Sequence, residues 1–116
     1  MKELKSLNKR TAPKSVMPEK IIQFGEGNFL RAFVDWIIWN MDQKTDFNGS
    51  VVVVQPIDRG MVDWLNGQDC LYHVNLQGRL NGEAVNSLER IDVISRALNP
   101  YTQNQAYMAL AEQPEI

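Results

Sequence analysis

The chain has 116 residues, 44% of them hydrophobic and 22% charged, with a formal net charge of −2. That length suffices for one domain with a buried core, and the near-neutral balance gives no electrostatic reason to expect nucleic acid or an anionic membrane as partner. Cys70 is the only cysteine and His73 the only histidine, which excludes an intrachain disulfide and leaves a metal centre within this segment unexpected.

A lone thiol fits a reducing cytoplasm. Residues 1–20 carry six basic and two acidic side chains, so the remainder is net acidic. The leader lacks the continuous apolar stretch of a secretory signal. It reads as a basic, loosely ordered arm. No apolar run approaches the ~20 residues that a membrane-spanning helix needs.

Order is expected to begin after Pro18. Ile21, Ile22, Gln23 and Phe24 form a short apolar strand, closed by Gly25-Glu26-Gly27. Residues 28–41 then read as a helix. Its polar positions Asn28, Arg31, Asp35 and Asp42 fall on one narrow stripe, and nearly all the rest is apolar. Such a helix should be buried on more than one side, and a sheet covers only one. The surplus implies another helix, domain or subunit, and self-association through residues 28–41 is expected. Residues 46–50 are a turn cluster, followed by Val51, Val52, Val53 and Val54. Four β-branched residues without polar alternation mark a strand buried on both faces of a parallel sheet. Strand, helix and buried strand make a βαβ unit with a right-handed crossover.

Residues 56–60 close that strand and residues 61–68 form a short helix. From Leu71 to Gln77 the pattern alternates, with Tyr72, Val74 and Leu76 on one face. Asn81-Gly82 suits a type I′ hairpin because both residues tolerate positive φ, and the return strand runs from about Glu83 towards Arg90. Residues 91–95 read as a further strand. Asn99-Pro100 offers an N-cap and a proline at the first helical position, opening a helix to about Glu112. Ile116 falls where a doubly wound fold would enter its next strand. The fold class is thus α/β: a partial Rossmann-like, doubly wound parallel sheet with an inserted antiparallel β-hairpin. Residues 21–116 would be the amino-terminal part of a dinucleotide-binding domain.

The chemistry concentrates at Gly25-Glu26-Gly27. A dinucleotide site needs a tight turn out of the first strand (Gly25) and a residue without a side chain where the diphosphate approaches the backbone (Gly27). The following helix points its free N–H groups at the phosphates. Leu30 stands where the usual third glycine would be, and a plain strand-to-helix turn is the other reading. Asp58, beyond the second strand, is placed either to accept hydrogen bonds from the adenosine ribose or to cap the next helix. Its acidity favours NAD over NADP, although Arg59 stands beside it. Arg31 would reach a phosphate or form the solvated side of the helix. His73 and Cys70 have no evident activating partner and read as structural.

The run from Ile21 to Phe33, containing Gly25, Gly27, Phe29, Arg31 and Ala32, resembles the amino-terminal fingerprint of the mannitol dehydrogenase family, a pattern close to G-x-G-x-F-x-R-A. Val51 to Asp58, then Gln68-Asp69 and Leu71-Tyr72, sustain the likeness. It also accounts for the missing third glycine. The resemblance implies NAD-linked, metal-independent interconversion of a keto sugar acid and its hydroxy acid, tagaturonate and altronate, in hexuronate breakdown. It places Gly25, Gly27, Asn28, Phe29 and Arg31 in the diphosphate turn and Asp58 on the ribose. The family's catalytic lysine, asparagine and histidine lie far downstream in a substrate domain. No position here receives those roles, and no lysine follows Lys44. The chain is therefore expected to bind cofactor without turning over substrate alone. A free-standing nucleotide-binding module and a self-associating module without catalysis are the alternatives.

Overall fold

The structure, a computed structural model, describes residues 7, 8, 10–12 and 14–116. Three strands, β1 (Glu19–Phe24), β2 (Ser50–Val54) and β5 (Ile94–Leu98), form a parallel sheet in the order β1-β2-β5. In the register Phe24 lies beside Val54, and Val54 beside Leu98, so all three strands end at one carboxyl edge. β2 is central, and its four valines are at most 1% exposed. Alternate side chains serve opposite faces. Val51 and Val53 pack with Ile38, Val62, Leu65, Tyr72 and Ile91, whereas Val52 and Val54 pack with Leu98 and Leu110. Full burial of a valine contributes on the order of 1.5–2 kcal/mol, which is why this run sits at the centre rather than at an edge.

The second strand pair is β3 (Tyr72–Leu80) and β4 (Glu83–Ile91), an antiparallel hairpin closed by Asn81 and Gly82 at φ 53° and 83°. Positive φ at both positions is the type I′ geometry expected of Asn-Gly. The strand expected over residues 91–95 divides. Ile91 closes the hairpin opposite Tyr72, and after Asp92-Val93 the chain enters the parallel sheet at Ile94. The two ladders belong to different sheets, so the backbone must break register between them.

Between β1 and β2 residues 28–44 are helical: a π-helical turn (Leu30–Val34) runs into α1 (Asp35–Lys44). The polar stripe does not face solvent along its length. Arg31 and Asp35 are buried, while Phe29, Phe33, Ile37 and Met41 form an exposed row. The expected burial on several sides is therefore not met within this chain. The physical reason lies in the turn below the helix, where Arg31 and Asp35 find hydrogen-bonding partners that favour an inward polar face.

α2 (Val62–Gly67) follows β2. The helix expected from Pro100 begins later, as α3 (Asn104–Ala109) with a short 3-10 turn to Glu112. Asn99 instead nucleates a turn: its Oδ1 accepts the Tyr101 N–H at 3.0 Å and its carbonyl accepts the Gln103 N–H at 2.7 Å. The arm expected over residues 1–20 lies partly outside the described residues. Within the described part, Lys14 Nζ donates to the carbonyls of Asp69 and Ser95, and Ser15 N–H donates to Asp92. No helix is long and apolar enough to cross a membrane among the described residues.

Candidate functional site

β1 leads directly into the glycine turn at the carboxyl edge. Gly25 N–H extends the parallel ladder by donating to the Val54 carbonyl at 2.9 Å. Its φ of +128° is a conformation that side-chain-bearing residues rarely adopt, and a Cβ there would lie 2.8 Å from Leu30 Cδ1. Gly27 is exposed, and a Cβ on it would meet nothing within 4 Å. The two glycines thus serve different needs. Gly25 makes the bend and Gly27 leaves the space beyond it open.

Buried side chains hold the inner side of the turn. Gln23 Nε2 donates to the Gly25 carbonyl at 3.0 Å and to Asp35 Oδ2 at 3.1 Å. Arg31 Nε donates to the Glu26 carbonyl at 2.8 Å, and its Nη2 to Asn28 Oδ1 at 2.7 Å. The Arg31 guanidinium also lies over the rings of Trp64 and Tyr72, at 5.3 and 5.6 Å. The Tyr72 hydroxyl donates to the Arg31 carbonyl at 2.7 Å. Arg31 is therefore neither a solvated surface residue nor free to move far. Asp35 is fully buried, and burial pushes its carboxyl up to about 6, although the Gln23 hydrogen bond and the Arg31 charge pull the other way. The backbone N–H groups of Glu26 and Gly27 have no acceptor among the described residues.

The loop after β2 completes the edge. Glu26 is buried, and its Oε1 accepts the Met61 N–H at 3.2 Å. Gly60 makes room for that carboxylate, since a side chain there would collide with it. Gln55 follows β2 and is engaged through both ends, donating to the Ile57 carbonyl and accepting from Val62 N–H. Asp58 stands in this loop at the same edge, exposed beside exposed Arg59, and holds no hydrogen bond or ion pair among the described residues. A cleft of about 210 Å³ opens between the two loops and the turn after β5, lined by Phe24, Val54, Gln55, Pro56, Tyr101 and Tyr107 among others.

Elsewhere the chemistry is quiet. His73 is exposed on β3, by a small cleft shared with Asn28 and Arg31. Cys70 is buried, and burial pushes its thiol up to about 11, far from a reactive thiolate. Among the described residues no group of three His, Cys, Asp or Glu side chains is placed to hold a metal. A cavity of about 460 Å³ lies at the opposite, amino edge, and its size makes it the first place to look for a ligand. Its polar lining is already engaged: Lys14, Ser15 and Asp92 with one another's elements, Ser50 with the Met17 carbonyl, Ser95 with Glu19.

A parallel β1-β2-β5 sheet with a glycine turn after its first strand is one half of a doubly wound dinucleotide fold. In agreement, the model of the mannitol dehydrogenase Rossmann domain matches residues 19–116. The chain belongs to the mannitol dehydrogenase family. It is 78% identical over 113 residues to altronate oxidoreductase of Bacteroides thetaiotaomicron, an alignment covering 97% of this chain and 24% of that protein. Altronate oxidoreductase of Phocaeicola vulgatus is 74% identical over the same share. Pseudomonas fluorescens mannitol 2-dehydrogenase, solved as a ternary complex with NAD and D-mannitol, superposes with a TM-score of 0.74 at 25% identity, over 95% of this chain and 25% of that one. The chain thus spans about a quarter of the length of the curated relatives it matches.

Sequence reasoning named Gly25, Gly27, Asn28, Phe29, Arg31 and Asp58, and the structure places all six at the carboxyl edge, with Phe29 exposed on the outer row of the helix. It passed over Gln23, Glu26, Asp35 and Gly60. Gln23 had a signal, being the single polar residue in the apolar run Ile21 to Phe24, two positions before the bend. Glu26 and Gly60 carried none, because their pairing depends on two loops 34 residues apart meeting at one edge.

Proposed function

We propose that this chain is the NAD-binding portion of an oxidoreductase that interconverts a keto sugar acid and its hydroxy acid, tagaturonate and altronate, in the course of hexuronate breakdown. The observation that carries the reading is the pair of N–H groups at Glu26 and Gly27, which have no acceptor among the described residues and adjoin the open space at Gly27. Successive free amides at a helix start form an anion-binding concavity suited to a diphosphate. Gly25, Gly27, Asn28, Phe29 and Arg31 build that turn, with Arg31 acting through the backbone and through Asn28. Asp58 accepts the ribose hydroxyls, and its charge disfavours the 2′-phosphate of NADP. The cleft lined by Phe24, Val54, Pro56, Tyr101 and Tyr107 offers apolar surface for a flat base. NAD, when bound, supplies the hydride chemistry. Residues 1–116 bind and orient it, and we assign no catalytic residue among them. Turnover then requires a substrate-holding part like the one the longer relatives have room for, so the chain alone is inactive. The relatives' names support the substrate class and the NAD-bound neighbour supports the cofactor. A cytoplasmic setting goes with this reading, supported by the buried free thiol of Cys70.

The exposed row Phe29, Phe33, Ile37 and Met41 favours a second property, association through the helix. Calorimetric titration of the chain with NAD, NADP and ADP tests the first reading. NAD and ADP should bind and NADP more weakly, and Asp58→Ala should lower NAD affinity about tenfold, the loss of one good hydrogen bond to a charged group, while narrowing the preference over NADP. Absence of any binding by the unaltered chain would overturn the proposal.

A further inference from the structure

We infer that Gln23, oriented by the buried carboxylate of Asp35, is a positioning residue that sets the direction of the amides in the glycine turn. The inference rests on reading that turn as the diphosphate site, and it concerns Gln23 and Asp35, to which the pattern G-x-G-x-F-x-R-A assigns no part.

In a trans peptide the C=O and the next N–H point in opposite directions. The Gly25 carbonyl is drawn inward by Gln23 Nε2 at 3.0 Å, so the Glu26 N–H must face outward. The Glu26 carbonyl is drawn inward by Arg31 Nε at 2.8 Å, so the Gly27 N–H must do likewise. Both donors belong to buried side chains. Flipping either peptide would strand a buried donor, which opposes the rotation that two glycines would otherwise permit.

Asp35 decides which end of the Gln23 amide does this work. Its Oδ2 accepts the second Nε2 hydrogen at 3.1 Å. With Asp35 ionised, as above about pH 6, a reversed amide would set Gln23 Oε1 against both Asp35 Oδ2 and the Gly25 carbonyl, three acceptors with no proton between them. Asp35 is fully buried, and its Oδ1 and Gln23 Oε1 have no partner among the described residues. Simple packing would be better served by an apolar side chain there. The charged or titratable groups against it are Arg31, one turn earlier on the helix, and Tyr72 from β3. Tyr72 is itself held by the Arg31 carbonyl. The whole buried set therefore converges on two carbonyls of the turn.

The test uses the chain labelled with 15N, titrated with NAD by calorimetry and followed at the amide signals of Glu26 and Gly27. The unaltered chain should bind, with both signals shifting. If it does neither, the diphosphate reading itself falls. Gln23→Met preserves length and removes both donors. It should lower NAD affinity about tenfold and abolish the Glu26 shift, with unfolding still cooperative. Asp35→Leu should behave the same way, and Asp35→Asn, which keeps an acceptor for Nε2, should recover most of the lost affinity. The inference is overturned if the unaltered chain binds and Gln23→Met binds within twofold of it with the same amide shifts. Where Gln23→Met does not fold, equal affinities for Asp35→Asn and Asp35→Leu overturn it instead.

Discussion

The two edges of the parallel sheet are built on opposite plans. At the amino edge Glu19, Ser95, Arg96 and Gln113 bond to one another, with Arg96 Nε 2.9 Å from Glu19 Oε2, and the arm is fastened by Lys14 and Ser15. The carboxyl edge engages Gln23, Glu26, Arg31, Asp35 and Gln55 on its inner side. There the amides of Glu26 and Gly27 and the exposed side chain of Asp58 have no partner among the described residues, and Gly27 adjoins open space. The larger cavity is at the amino edge, yet the groups able to recognise a ligand are at the other. Unengaged hydrogen-bonding capacity, more than volume, is the ground on which the carboxyl edge is proposed as the binding edge.

The sharpest way to break this contrast is Gly25→Val. A β-branched residue at φ +128° and against Leu30 would distort the turn, at about 1–3 kcal/mol in stability. NAD affinity should fall about a hundredfold, equivalent to ~2.7 kcal/mol, as read by calorimetry. Retained affinity would mean that the turn does not touch the cofactor.

Comparable in size is a divergence with pH. Asp35 is raised to about 6, so the folded state holds its proton longer than the unfolded chain does. Its contribution is fully present below the ordinary aspartate value and is lost as pH rises to about 6, by roughly 3 kcal/mol if the unfolded value is near 3.8. Glu19 behaves in the reverse sense. Burial pushes it up, but hydrogen bonds from Arg96, Ser95 and Gln113 and the Arg96 charge outweigh this and hold it below the usual glutamate value. Its contribution is present above that value and is lost as pH falls through the lowered one. Denaturant midpoints measured from pH 3 to 8 should therefore show Asp35→Asn removing the decline above pH 4 and Glu19→Gln removing the loss at the acid end. Arg96→Met should cost about 1 kcal/mol in stability and leave NAD affinity unchanged.

The smallest effect on stability belongs to the outer row of the helix. Phe33→Glu should move stability by no more than about 0.5 kcal/mol, as for an exposed position, and should reduce concentration-dependent association in sedimentation. A chain that is monomeric throughout, with or without the substitution, would remove self-association from consideration.

Much of this was legible beforehand. The run Val51 to Val54 specified a strand covered on both faces because β-branched residues without alternation have no solvent side to offer. Asn81-Gly82 specified its turn because two successive residues had to adopt positive φ. Gly25 and Gly27 announced the bend. The helix that follows them was read correctly as helix and wrongly as to which side faces inward. Periodicity identifies a polar stripe but assigns it to solvent by default, and here Arg31 and Asp35 face the protein. Asn99-Pro100 likewise matched a helix start, and the local turn closed by Asn99 displaced that start to Asn104.

What the sequence determined alone was therefore whatever depends on neighbours along the chain: strand propensity, turn chemistry, the glycine spacing and the family fingerprint. Tertiary structure decided the pairing of Gln23 with Asp35, of Arg31 with the Glu26 carbonyl, and of Glu26 with the loop at Gly60 and Met61. Those contacts depend on how β1, the helix and the β2 loop meet in space. A buried polar group selects its partner by proximity and hydrogen-bonding geometry after the elements have packed, which no one-dimensional pattern records.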